Sequence, residues 1–227
     1  MNSCAKWVAG AADSPVAASL EVSAKMSDMI SFDPALLKKR GWIFDCDGTV
    51  AETMRIHHRT WTHIISKQLG KPFDFPWDLF CSMGGMSAHD TCKNLKKLYN
   101  VDLDVPLLLA DGHDYLEIHL AKDVRPRKSV VAVVHHVKSL GHRTAIASAG
   151  RKSHVHTSLT ATNLMHLFDA IITAEDATRL KPHPDLFLAA AARIGIDPSD
   201  CVVVEDSPRG KEAADAAGMA CILVEPA

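Results

Sequence analysis

The 227-residue sequence predicts an α/β fold, a Rossmann-like parallel sheet core with an inserted helical cap subdomain. Three observations carry that expectation. From residue 129 onward, helical stripes alternate with short apolar runs, the pattern of parallel strands covered by helices on both faces. The strand ends carry polar residues able to do chemistry. Nearly a hundred residues separate the first expected strand (41–45) from the next (143–147), far more than one crossover needs.

Residues 1–30 are Ala/Ser-rich, with no apolar signal-peptide stretch beside a basic flank, and read as a loose N-terminal extension in which Met26 is a second potential start. The core domain is expected over 31–53 and 128–227, and the helical cap over 54–127. Within the cap, Ile56, Trp61, Ile64, Ile65 and Leu69 keep helical spacing. Ser87 and Asp90 resemble a capping box for a helix through Leu95 and Leu98, and Pro106 opens another through Leu116 and His119.

Val130, Val133, Val134 and Val137 share one helical stripe, with Ser129 placed to cap its start and Leu140-Gly141 its end. Further helices are expected over 152–164 and 184–194, and strands over 170–173 and 201–205. A small-residue helix through Ala213, Ala214 and Ala217 stops at Gly218, before a last strand near 221–224. No internal repeat or low-complexity tract stands out.

Composition narrows the function. With 25 Lys and Arg against 27 Asp and Glu, net charge is −2 and no dense basic run offers a footprint for nucleic acid or an anionic membrane. No apolar stretch approaches the roughly 20 residues a membrane span needs. Cysteines 4, 46, 81, 92, 201 and 221 form no CxxC pair, and 46, 201 and 221 fall in or beside buried strands, which fits a reducing, cytoplasmic setting. That balance leaves small anionic substrates open; a small phosphorylated metabolite is the expected partner, and the chain is expected to act as a monomer.

The chemistry concentrates at Trp42-Ile43-Phe44-Asp45-Cys46-Asp47-Gly48-Thr49, where an apolar run ends in two acids and a Gly-Thr turn. Along an extended strand alternate side chains point the same way, so Asp45 and Asp47 can enter one pocket while Cys46 faces away. Two carboxylates about 4 Å apart repel by roughly 4 kcal/mol at an effective dielectric near 20, which favours a cation, a shared proton or a nearby Lys. Taken alone, the motif equally fits a strand running into a polar turn.

The other strand ends break that tie. Ser148 follows the second strand, Lys181 follows the third after a loop, and Glu205-Asp206 end the fourth. A hard cation such as Mg²⁺ suits Asp45, Asp206 and a backbone carbonyl at Asp47, with Glu205 a ligand directly or through water. Ser148 and the amides after it, beginning at Ala149, can hydrogen-bond phosphate oxygens at a helix start, and Lys181 screens the acids. A carboxylate can attack phosphorus, and a second acid can protonate the leaving oxygen.

These motifs, Asp45-Cys46-Asp47-Gly48-Thr49, Ser148, Lys181-Pro182-His183-Pro184-Asp185 and Glu205-Asp206, resemble the four ordered motifs of the haloacid dehalogenase superfamily, over about residues 41–225. The insert's position is similar to the helical cap of the branch containing β-phosphoglucomutase and small sugar-phosphate phosphatases. The resemblance implies that Asp45 is the nucleophile and Asp47 the acid/base, and that Mg²⁺ is held by Asp45, the Asp47 carbonyl and the Glu205/Asp206 acids. Thr53 and His57 look like the branch's Thr and His that position the second acid or substrate, although His57 also reads as a solvated helix residue.

Where the mutases present a Lys-Gly and Ser-Arg phosphate grip, this chain has Gly84-Gly85-Met86-Ser87-Ala88, which implies a phosphatase acting on a sugar phosphate such as fructose 1-phosphate or a hexose 6-phosphate. A phosphomutase is the nearer rival, and a phosphoacceptor signalling domain or an idle sugar-phosphate binder the more distant ones. Arg151 and Lys152 offer further phosphate contacts or merely a charged helix start. His89 reads as structural or exposed. Trp42, Trp61, Phe73 and Trp77 read as packing, and no zinc site is expected at His135-His136 or His154-Val155-His156.

Overall fold

The computed structural model describes residues 29–84 and 86–225. The expected loose extension therefore lies outside them except for residues 29 and 30, as do Cys4, Met26 and Gly85 of the cap stretch. Five strands, β1 (Gly41–Phe44), β2 (Arg143–Ala147), β3 (Ala170–Ile172), β4 (Cys201–Glu205) and β5 (Ala220–Leu223), form one sheet in the order β3-β2-β1-β4-β5. Every pairing is parallel, with Ile43 opposite Ala145 on one side and Val203 on the other.

The central strands are buried because alternate residues feed two separate cores. Trp42, Phe44, Cys46, Ile146, Val202 and Val204 pack on one face. Ile43, Ala145, Ala147, Ile172 and Val203 pack on the other. Each fully buried large aliphatic or aromatic side chain contributes about 1.5–3 kcal/mol, so a one-residue register slip, which would swap the two sets, is strongly disfavoured. Successive crossovers run outward from β1 through β2 to β3, and the chain then returns to the other side for β4 and β5. Strand order therefore reverses between β1 and β4, and the carboxyl ends of these two strands flank the crevice where open α/β sheets bind ligands.

Of the helices in the long interval between β1 and β2, four fall within the insert: α1 (Met54–Leu69), α2 (Trp77–Ser82), α3 (Ala88–Tyr99) and α4 (Val105–Asp123). Ser87 Oγ accepts from Asp90 N at 3.1 Å, and Asp104 caps α4 with Pro106 in its first turn. Ile64, Ile65, Phe75, Phe80, Leu95 and Leu108 form a third core. α1 and α4 belong to both worlds, since Ile56, Leu116 and Leu120 pack into the sheet core.

Four further helices follow: α5 (Lys128–Ser139), α6 (Lys152–Ala161), α7 (Asp185–Ile194) and α8 (Pro208–Ala216). Ser129 does not cap α5. The helix begins at Lys128 after Arg127, whose N–H donates to Val50 O at 2.9 Å. A bridge between Ala51 and Pro126 adds to that tie, so contacts distant in sequence set the start. α6 ends three residues before the expected 164 because Thr162 Oγ1 donates to Ser158 O and Asn163 takes a left-handed φ of 56°. None of the described helices is long and apolar enough to cross a membrane.

Candidate active site

At the reversal between β1 and β4, the Asp45 N–H donates to Val204 O at 3.0 Å, carrying the strand pairing one residue past Phe44 and fixing the Asp45 side chain over the sheet edge. Lys181 Nζ donates to Asp45 Oδ1 at 2.5 Å and to Glu205 Oε1 at 3.1 Å. All three groups are at least nine-tenths buried, and the ammonium also lies 4.9 Å from the Phe187 ring. Burial pushes the Lys181 ammonium down, but Asp45 and Glu205 outweigh it and raise the pKa, so the lysine stays charged. Burial pushes the Asp45 carboxyl well up, opposed by Lys181 and reinforced by Glu205, Asp206 and Asp47.

Both Glu205 oxygens are already engaged. Oε2 accepts from the Asp206 N–H at 2.7 Å, and Oε1 accepts from the Ser207 hydroxyl at 3.0 Å as well as from Lys181. The Asp206 carboxyl is freer. Burial and the Glu205 charge push it up to about 7, with Lys181 opposing. Two glycines make this packing possible. A Cβ on Gly210 would lie 1.8 Å from Glu205 Oε1, and one on Gly48, where φ is +82°, would lie 2.1 Å from Asp206 Oδ2.

Three carboxylates thus face one ammonium. Asp45, Glu205 and Asp206 each place an oxygen within 4.8 Å of the others. An all-oxygen donor set with uncompensated negative charge fits a hard divalent cation such as Mg²⁺. Asp45 and Asp206 are its better-placed ligands, because hydrogen bonds occupy Glu205.

Asp47 belongs to a second, neighbouring group. Its Oδ2 accepts from Ser148 Oγ at 3.3 Å and its Oδ1 meets His57 Nε2 at 3.3 Å. The Gly150 N–H donates to Ser148 Oγ at 2.9 Å, fixing the hydroxyl from the other side. Burial pushes the Asp47 carboxyl up, but His57, with help from Thr53 and His154, overcomes this and holds it down at about 2. Thr53 Oγ1 is buried without a hydrogen bond of ordinary geometry, so His57 is the main cause.

A cavity of about 520 Å³ opens over these groups. Asp45, Asp47, His57, Ser148, Ala149, Lys181, Glu205 and Asp206, all expected at the site from the sequence, line it together. Lys152 and Thr53 are not among its lining residues. The Lys152 side chain is exposed, and its N–H donates to Glu175, tying the helix start to a neighbouring loop. Arg151 lines a different, smaller cavity.

Sequence reasoning missed Arg209 and His183, which line the main cavity, and the dependence of Glu205 on Gly210. Arg209 Nη2 donates to Lys181 O at 3.0 Å, and Ser207 with Pro208 at the start of α8 was the available signal for that turn. His154, which sits with His156 on α6, comes close to His113 and Glu117 of α4.

The profile of the haloacid dehalogenase-like hydrolases matches residues 42–224. A fructose-1-phosphate phosphatase, YqaB, of Escherichia coli (strain K12) is 32% identical over 186 residues, covering 81% of this chain and 95% of its own. A β-phosphoglucomutase of Bacillus subtilis (strain 168) is 28% identical over 193 residues, covering 80% and 81%. The crystal structure of CbbY from Rhodobacter sphaeroides in complex with phosphate superposes with a TM-score of 0.72 at 21% identity over 83% of this chain and 87% of that one, a likeness of fold.

Proposed function

This chain belongs to the haloacid dehalogenase-like hydrolase family, and from that premise we propose that it is a Mg²⁺-dependent phosphatase of a small sugar phosphate, working through a phosphorylated Asp45. The observation that carries the reading is the pairing of Asp45, held by Lys181, with Asp47, held by Ser148 and His57, on one cavity wall. In this account the core is 31–53 with 128–227, the cap is 54–127, and the enzyme is a cytoplasmic monomer.

Asp45 attacks phosphorus with the carboxylate oxygen that Lys181 leaves free, and the ester oxygen departs with a proton from Asp47. Asp47 then takes a proton from water, whose oxygen attacks the same phosphorus, releasing phosphate and restoring Asp45. Ser148 and the amide of Ala149 hold phosphate oxygens at the start of the loop into α6. Asp45, the Asp47 carbonyl and Asp206 would hold Mg²⁺, which would supply charge neutralisation for the dianion, while Glu205 acts mainly as the anchor of Lys181.

Without substrate Asp47 is a carboxylate, because His57 holds its pKa near 2. A phosphate dianion beside it opposes His57 and raises that pKa, so Asp47 gains its proton as substrate binds.

Phosphatase is favoured over mutase by the cap side of the cavity. It is formed by Met54, Trp61, Phe80, Met83, Met86 and their neighbours, and among the described cap residues no Lys or Arg lines it. A sugar bisphosphate would find no Lys or Arg among those cap residues for its second phosphate. A phosphate-release screen over sugar phosphates, nucleotides and glycerol phosphates, with and without Mg²⁺, tests the reading. Mg²⁺-dependent release from a sugar monophosphate is expected, whereas isomerised product without free phosphate would identify the mutase.

A further inference from the structure

We propose that His113, Glu117 and His154 form a second metal site, for a zinc-class transition ion, which staples the cap limb α4 to the core helix α6. His113 and Glu117 stand four residues apart on α4, so they share one helix face. From α6, His154 Nε2 comes within 2.9 Å of His113 Nδ1, and Glu117 Oε2 lies 3.5 Å from His113 Nε2. Each of the three residues offers a ligand atom within 4.8 Å of the other two. Thr157, one turn beyond His154, donates to Glu117 Oε1 at 3.2 Å and orients that carboxylate from outside, as supporting residues commonly do at metal sites.

The donor set separates this cluster from the acids at the sheet edge. Two imidazoles and one carboxylate, with a water completing the sphere, suit zinc and its neighbours, whereas three carboxylates suit Mg²⁺. The two imidazole nitrogens lie 2.9 Å apart, at hydrogen-bond distance. Ligating one ion at about 2.0–2.1 Å in tetrahedral geometry requires them to part to roughly 3.4 Å. The three side chains are only half-buried and have room for that adjustment. A cavity of about 100 Å³ lined by His113 and His154 gives the ion and its water access, although exposed Arg151 lines it too and weakens the attraction.

α1 and α4 are the two limbs by which the insert joins the sheet, so an ion shared by α4 and α6 would hold the insert against the core. That consequence rests on the proposed division into core and cap; binding of the ion does not.

The test uses the full chain, stripped of metal by EDTA, dialysed, and returned to saturating Mg²⁺ so that the sheet-edge acids are filled. Zn²⁺ is then titrated against a chromophoric chelator, and Co²⁺ is followed by its visible absorption. One equivalent bound beyond Mg²⁺, with the intense bands of a four-coordinate cobalt site, is expected. His113→Ala and His154→Ala should each weaken it on the order of a hundredfold, and Thr157→Val about tenfold, the range found when ligands or their supports are removed. His156→Ala and Asp206→Asn should retain it. Circular dichroism of each variant checks folding. No equivalent beyond Mg²⁺ in the parent chain, or undiminished binding in folded His113→Ala and His154→Ala, would overturn the site, whatever the phosphatase assay shows.

Discussion

The two walls of the main cavity differ in kind. The core wall is charged and cross-linked: Asp45, Lys181 and Glu205 hold one another, and Asp47 is tied to Ser148 and His57. The cap wall is mainly apolar, with Met54, Trp61, Phe80, Met83 and Met86 facing the same space. Two cations of α1 that do not line it have partners of their own, Arg55 stacking on Trp77 at 3.6 Å and Arg59 pairing with Asp123. The contrast teaches that a fixed charge array can serve reaction at phosphorus while a separate surface shapes itself to the rest of the substrate. Core substitutions should therefore act on kcat, and cap substitutions on KM and substrate choice.

The largest effect belongs to the proposed nucleophile. Asp45→Asn should lower kcat for the best substrate by at least about 10⁴-fold while the chain stays folded, because no other group can take the covalent role. Steady-state phosphate release measures it, and a loss under tenfold would put the chemistry elsewhere.

Lys181→Met comes next. It leaves Asp45 and Glu205 buried without their shared cation, a change that typically costs 3–5 kcal/mol, so the melting temperature should fall together with kcat. Unchanged melting would show that the buried pair carries little.

The third prediction concerns Asp47. Its free-enzyme pKa of about 2 means it enters as carboxylate, and a bound dianion raises it. Proton uptake on binding makes affinity weaken as pH rises toward the raised value, by up to about tenfold per unit, and level off above it. Sulfate inhibition measured between pH 5 and 9 in saturating Mg²⁺ reads this, since sulfate keeps its charge throughout. A flat profile in the parent would remove Asp47 as the acid, and Asp47→Asn should flatten it.

The smallest change sits on the cap wall. Trp61→Ala should raise KM about tenfold, the scale of 1–3 kcal/mol for lost apolar contact, and alter the ranking of sugar phosphates with kcat within a few-fold. A collapse of kcat instead would abolish the division between the walls.

What could be read from the chain follows the same division. The acid array was legible because strands buried on both faces are nearly continuous apolar runs, so Asp45 and Glu205 stand out where each run stops. Lys152 did not enter the cavity, since the turn that bonds its amide to Glu175 directs the helix start elsewhere, a tie no local pattern encodes. The start of α5 was misplaced for a related reason: Arg127 is held by Val50, far away in sequence. His154 was weighed with His156, yet residues two apart on a helix do not share a face, and its actual neighbour arrives from α4, 41 positions earlier. Cap side chains show helical spacing but not which of them turn toward the site, because that depends on how α1 and α4 lean on the sheet.

The covalent role of Asp45 is tested most directly by the stereochemical course at phosphorus, using a substrate made chiral with oxygen isotopes. Two successive in-line displacements, first by the carboxylate and then by water, predict overall retention of configuration. Inversion would mean that water attacks the ester in a single step, contradicting a phosphorylated aspartate.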